Sequence, residues 1–125
     1  MKNTKATGWL RWFLMSYSKK HAFVYILHFE EALSHARHYT GWCISPEARF
    51  KDHATGNGSH LTKAFYNKGL GFEVGLLYRY SSNQEARSVE WHIKHRLKKV
   101  LRYCSRCSTY PVPLPMGHGT PMQWP

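Results

Sequence analysis

Acid is scarce in this sequence: 7 Asp and Glu stand against 18 Lys and Arg in 125 residues, a formal net charge of +11 at pH 7. Any carboxylate chemistry must therefore draw on Glu30, Glu31, Glu47, Asp52, Glu73, Glu85 or Glu90. Long apolar runs are missing too, and no stretch approaches the ~20 residues that a membrane-spanning helix needs, which excludes a spanning protein. The nearest approach, Trp9-Leu10-Arg11-Trp12-Phe13-Leu14-Met15, is broken by Arg11 and has no small-residue cleavage site after it. It reads as the N-terminus of a cytoplasmic protein and not as a signal peptide. Cysteine is sparse and odd in number: Cys43, Cys104 and Cys107 cannot all pair within one chain, which fits a reducing compartment. With 42% hydrophobic and 15% aromatic residues the chain is not intrinsically disordered. At roughly 150 residues per domain the length allows one domain. Its natural partners are nucleic acid or an anionic membrane surface, with an acidic peptide a weaker match.

Composition divides the chain into three parts. Residues 1–20 mix Lys, Thr, Ser and aromatics without clean periodicity and read as an extension. Residues 108–125 hold five of the 6 prolines with no charged residue, and read as a flexible or extended tail. The domain lies between them, at 21–107. Ala22-Phe23-Val24-Tyr25-Ile26-Leu27-His28-Phe29 is β-branched and aromatic without a helical period, so it predicts a buried strand. A second strand is expected from Arg37 to Ile44. Ser45-Pro46-Glu47 then supplies an N-cap, a proline at the first helical position and an acid in the first turn, which predicts a helix to about Ala54. Gly56-Asn57-Gly58-Ser59 is turn chemistry, and Ser59 can cap a short helix that stops at Gly69. Phe72 to Tyr80 alternates as a strand with one buried face. A last helix is predicted from Ser82 toward Arg102. The order β-β-α-α-β-α describes an α+β domain, a small three-stranded antiparallel sheet flanked by helices.

On a wheel of about 100° per residue from Ala86, Glu90 falls at about 40°, inside the apolar arc of Val89, Ile93, Leu97, Val100 and Leu101. An unpaired carboxylate there would cost several kcal/mol, so a cation must face it, either a metal ion or a neighbouring Lys or Arg. Arg49 and His53 stand at i, i+4 and share one face of the first helix, which for such a pair is most often a solvated face. Tyr25 fits an ordinary core tyrosine and Tyr39 an edge tyrosine as readily as any catalytic group.

Read together, Val24-Tyr25-Ile26-Leu27, then Tyr39-Thr40-Gly41, Arg49, His53, the Gly56-Asn57-Gly58-Ser59-His60 turn and Glu90 in Glu-Trp-His-Ile-Lys resemble the GIY-YIG nuclease domain over about residues 22–107. The small stand-alone branch is the most similar. Phe23 stands where the first motif has glycine, and Thr40 replaces the isoleucine of the second; Trp42 and Lys98-Lys99 also depart from the family pattern. The resemblance implies a metal-dependent DNA endonuclease. In it, Glu90 holds one Mg²⁺ or Mn²⁺ ion, and Tyr25 is the general base for the attacking water. Tyr39 hydrogen-bonds water or phosphate, Arg49 stabilises phosphate charge, and His53 or His60 orients Tyr25 or contacts phosphate. Gly41 is a structural element of the motif. Lys94, Lys98, Arg102 and Arg106, at one-turn intervals, are expected to form a phosphate-binding stripe on the last helix, with Lys51, His60 and Lys63 adding nucleic-acid contacts near the site. The competing reading is a catalytically weak nucleic-acid-binding module of the same fold. Specificity is expected to come from DNA structure, a homodimer or a partner protein. Cys104-Ser105-Arg106-Cys107 needs two more ligands to hold zinc, which His92, His95 or Cys43 would supply only if the fold brought them close; two free thiols are the expected state.

Overall fold

Every residue from Ala22 to Leu27 is fully buried, so the first strand forms the middle of the sheet with apolar contacts on both faces. A computed structural model of the chain describes residues 21–97 and 99–124; the extension expected over 1–20 lies outside them. Strand β1 (Ala22–Leu33) pairs antiparallel with β2 (Ala36–Cys43) on one side and β3 (Phe72–Tyr80) on the other. Helices α1 (Pro46–Ala54) and α2 (His60–Asn67) connect β2 to β3, and α3 (Asn83–His95) follows β3. The architecture is the expected α+β sheet flanked by helices. A fourth strand, β4 (Thr120–Pro121), extends the order to β2-β1-β3-β4.

The two faces of β1 feed two cores. Ala22, Val24 and Ile26 pack with Ala86, Val89 and Ile93 of α3, while Phe23, Tyr25, Leu27 and Phe29 pack with Phe50 of α1 and Phe65 of α2. On the second face Phe29 stacks on Phe65 at 3.7 Å between ring centroids. The expected cap at Ser59 is present, its Oγ accepting from Thr62 N at 3.2 Å, and Ser82 Oγ accepts from Glu85 N at 3.1 Å to cap the last helix.

Three local readings are corrected. The alternation in β3 does not keep one face buried throughout. Partners sum to one value from Ala22↔Tyr80 to Ile26↔Leu76 and shift by one at Leu27↔Val74, so Gly75 is the extra residue of a β-bulge. Phe72 and Val74 therefore join the α1–α2 face while Leu76 and Tyr80 join the α3 face. The last helix stops at His95 instead of running toward Arg102: His92 O accepts from both Arg96 N (2.8 Å) and Leu97 N (3.0 Å), and the chain turns so that Leu97 and Val100 still reach the core. Leu101, placed in the apolar arc by the wheel, is exposed. The segment expected to be a flexible or extended tail is not flexible but packs on the sheet, in part as the extended β4. Leu114 is buried against the α3 face, Trp124 lies 4.8 Å from Phe50 between centroids, and Met122 N donates to Leu77 O at 2.8 Å. Proline cannot donate to a ladder, but apolar side chains between the prolines supply the anchors.

Candidate active site

Tyr25 sits on β1 directly opposite Gly41 on β2. A Cβ at position 41 would stand 2.6 Å from Tyr25 Cζ and closer still to its hydroxyl, so the glycine is there to let the phenol pass over the neighbouring strand. Gly41→Ala is accordingly expected to destabilise the protein by about 1–3 kcal/mol through overpacking. Its test is a urea titration, and an unchanged midpoint would refute the close approach.

The Tyr25 hydroxyl lies 2.7 Å from His53 Nε2, and His53 Nδ1 lies 2.8 Å from Thr62 Oγ1. Thr62 donates its own proton to Ser59 O (3.3 Å). In the tautomer that leaves this donor so engaged, Nδ1–H donates to Thr62 Oγ1 and the Nε2 lone pair accepts from Tyr25. Sequence makes this chain possible because α1 carries His53 in its last turn and the Gly58-Ser59 turn brings α2 alongside. A Cβ at Gly58 would fall 2.7 Å from Thr62 Oγ1 and into His53 Nδ1. Thr62 was not foreseen; the only sequence signal was its place three residues after the Ser59 cap.

His53 is 2% exposed, and burial, followed by the charge of Arg49, pushes its pKa from 6.5 down to about 4. Between about pH 6.5 and about 4 the unfolded chain binds a proton that the folded chain refuses. His53 thus contributes stability that is fully present above the unfolded pKa and is lost as pH falls through that window. Lowering pH from about 7 to about 5 should cost the wild-type protein about 1–2 kcal/mol more than His53→Gln in denaturant titrations. Equal losses in both would show that His53 is not held neutral.

Arg49, one turn before His53, lies beside the hydroxyls of Tyr25 and Tyr39 and pairs with Asp52 at 3.8 Å. Burial raises the Tyr25 pKa well above the ordinary phenol value, and the Arg49 guanidinium opposes that rise. Tyr39 joins the halves of the site. Its ring centroid is 5.0 Å from that of His53 and 6.2 Å from that of Tyr25, and Lys94 Nζ of α3 stands 5.6 Å over it. Lys94 Nζ in turn pairs with Glu90 Oε2 at 2.9 Å. The cation demanded by Glu90 is therefore present on its own helix, at i+4. Trp42, Gln84, Arg87, Ser88 and Trp91 line an open cleft with Glu90.

The structure thus brings Tyr25, Tyr39, Arg49 and His53 into one cluster at the β2 edge and connects Glu90 to it through Lys94. Lys51, His60 and Lys63 are exposed on α1 and α2. The helical stripe is corrected: Lys94 belongs to the Glu90–Tyr39 contact, Lys98 lies outside the described residues, Arg102 is in a 3₁₀ turn, and Arg106 pairs with Glu73 at 3.5 Å. The helix carrying such a stripe ends before it is complete. The histidines weighed for the cysteine pair are turned to their own helix, His92 Nδ1 to Ser88 O (2.8 Å) and His95 Nδ1 to Trp91 O (2.9 Å), and Cys43 is buried in the α1–α2 core.

An antiparallel sheet with two helices on one face and one on the other, and a tyrosine–histidine–arginine cluster at its edge, defines a small α+β domain. The family model of the GIY-YIG catalytic domain matches residues 21–103, and the chain belongs to that family, whose domains are usually nucleases. No curated protein and no solved structure matches the chain.

Proposed function

We propose that the protein is a metal-dependent endonuclease that hydrolyses phosphodiester bonds in DNA. The observation that carries this reading is the buried Thr62–His53–Tyr25 hydrogen-bonded chain with His53 neutral and Arg49 beside the phenol. Burial makes a free phenolate costly. Tyr25 can instead take a proton from the attacking water while passing its own to His53 Nε2, a transfer that burial and Arg49 oppose until the substrate phosphate brings negative charge to offset the guanidinium. Arg49 offers a planar fork to the negative charge that grows on the phosphate, and Tyr39 offers a hydroxyl beside it. Exposed Lys51 and Lys63, in a protein of net charge +11, attract the DNA backbone.

Glu90 fits a hard divalent cation. It is a carboxylate 18% exposed at the rim of an open cleft, and Mg²⁺ commonly binds through one or two carboxylates while keeping water and phosphate oxygens as its other ligands. When bound, the ion would supply Lewis-acid stabilisation of phosphate charge. Lys94 already neutralises Glu90, and this favours a second reading, a nucleic-acid-binding module with weak catalysis. One experiment separates the two. Purified protein is incubated with linear, nicked, flapped and branched DNA in Mg²⁺ or Mn²⁺. Cleavage that EDTA stops and added Mg²⁺ restores supports the nuclease; salt-sensitive binding without cleavage of any substrate supports the module.

A further inference from the structure

We propose that His28, His38, Cys104 and Cys107 form a structural Zn²⁺ site. The β1–β2 register sets His28 directly opposite His38. Three residues beyond Tyr25, His28 lies on the other face of β1, in line with Val24 and Ile26. After α3 the chain returns over this face and is received by the β3 bulge. Ser105 N donates to Gly75 O at 2.8 Å, and the Cys104 thiol fills the place that a Cβ at Gly75 would need. Cys107 follows on a tight turn in which Cys107 N and Ser108 N both donate to Cys104 O at 3.1 Å.

The ligand atoms converge. His28 Nδ1 lies 3.2 Å from His38 Nε2, 3.5 Å from Cys104 Sγ and 3.4 Å from Cys107 Sγ, and His38 Nε2 lies 3.2 Å from Cys107 Sγ. All four atoms fall within 4.8 Å of one another. A ring nitrogen carries one proton or one lone pair, so Nδ1 of His28 cannot satisfy three partners by hydrogen bonding. Four atoms facing a common centre can. Zn–N bonds of about 2.0–2.1 Å and Zn–S bonds of about 2.3 Å in a tetrahedron give edges of about 3.3 Å between nitrogens and about 3.6 Å between nitrogen and sulfur. The four separations given lie within a few tenths of an ångström of these, and the other two pairs fall inside the 4.8 Å span, so a metal would draw the ligands together. Thiolate and imidazole ligands suit zinc and not magnesium or calcium. Four protein ligands leave no open position, which makes the site structural. It would clip the far end of the β1–β2 hairpin to the segment after α3, across 79 positions of sequence between His28 and Cys107, and so contribute to the stability of a small domain.

This proposal is independent of the nuclease reading, and its test needs no DNA. The full chain, purified in a thiol-free reductant without chelator, is analysed for metal content and reconstituted with Co²⁺. About one zinc per chain is expected, together with tetrahedral cobalt bands and thiolate-to-cobalt charge transfer. Zinc should be lost in Cys107→Ser and in His38→Ala, and chelation should lower the melting temperature of the wild type alone. These two side chains are at least partly exposed, so circular dichroism can confirm that the variants fold. Reduced protein that takes up no zinc, zinc undiminished in both variants, or a cobalt spectrum without thiolate charge transfer would each overturn the site. The cobalt spectrum decides alone if a variant fails to fold.

Discussion

Tyr25→Phe is expected to lower DNA cleavage by roughly 10²–10⁴-fold, the range for loss of a positioned proton-transfer group. The fold should survive, because phenylalanine keeps the ring that meets Phe50 edge-on at 5.0 Å between centroids. What it removes is the 2.7 Å bond to His53 Nε2, leaving a buried acceptor unpaired at a cost of about 1–3 kcal/mol. Activity and stability thus part company, and a melting curve on the same sample separates them. His53→Ala should lose a comparable share of activity. Because tyrosine and histidine act in one proton path, the double variant should be little worse than the poorer single one. Wild-type rates in Tyr25→Phe would remove the phenol from the mechanism.

Glu90→Gln is the second large effect, a fall on the order of 10³-fold or more in Mg²⁺-dependent cleavage, reflecting several kcal/mol of lost charge stabilisation at the phosphate. Its cost to the fold should be small. The Glu90–Lys94 pair is an i, i+4 contact with side chains 18% and 40% exposed, and such pairs contribute only about 0.3–0.5 kcal/mol. A variant that melts near the wild-type temperature yet fails to cleave at any Mg²⁺ concentration matches the proposal. Undiminished cleavage would end the assignment of Glu90 to the metal.

Much of this was legible in the chain itself. The apolar stretch of β1, the Ser45-Pro46-Glu47 and Ser59 helix starts and the glycine at position 69 are local signals, because caps and turns are satisfied by neighbours in sequence. Candidate residues Tyr25, Tyr39, Arg49 and His53 could be named from motif spacing. Their mutual contacts could not, since hydrogen bonds between β1, α1 and α2 depend on how helices settle on a sheet. The Gly75 bulge escaped because a one-residue slip in pairing leaves the alternation of β3 intact when read alone. The wheel for α3 overran because it assumed a helix beyond His95, while Leu97 and Val100 reach the same core from a turn. One signal lay within reach: a hairpin that sets Tyr25 against Gly41 also sets His28 against His38.

The sequence by itself determined the order of the first three strands and the three helices, the basic charge, and the tyrosine, arginine, histidine and glutamate types available for chemistry, all of which follow from composition and local periodicity. Tertiary structure alone decided which of these meet. It bonded Tyr25 to a neutral His53, gave Glu90 the ammonium of Lys94, folded the proline-rich segment back onto the sheet, and drew two histidines of the hairpin to two cysteines more than sixty residues away. Such pairings depend on packing across a shared core, where burial sets each pKa and the strand register sets each distance.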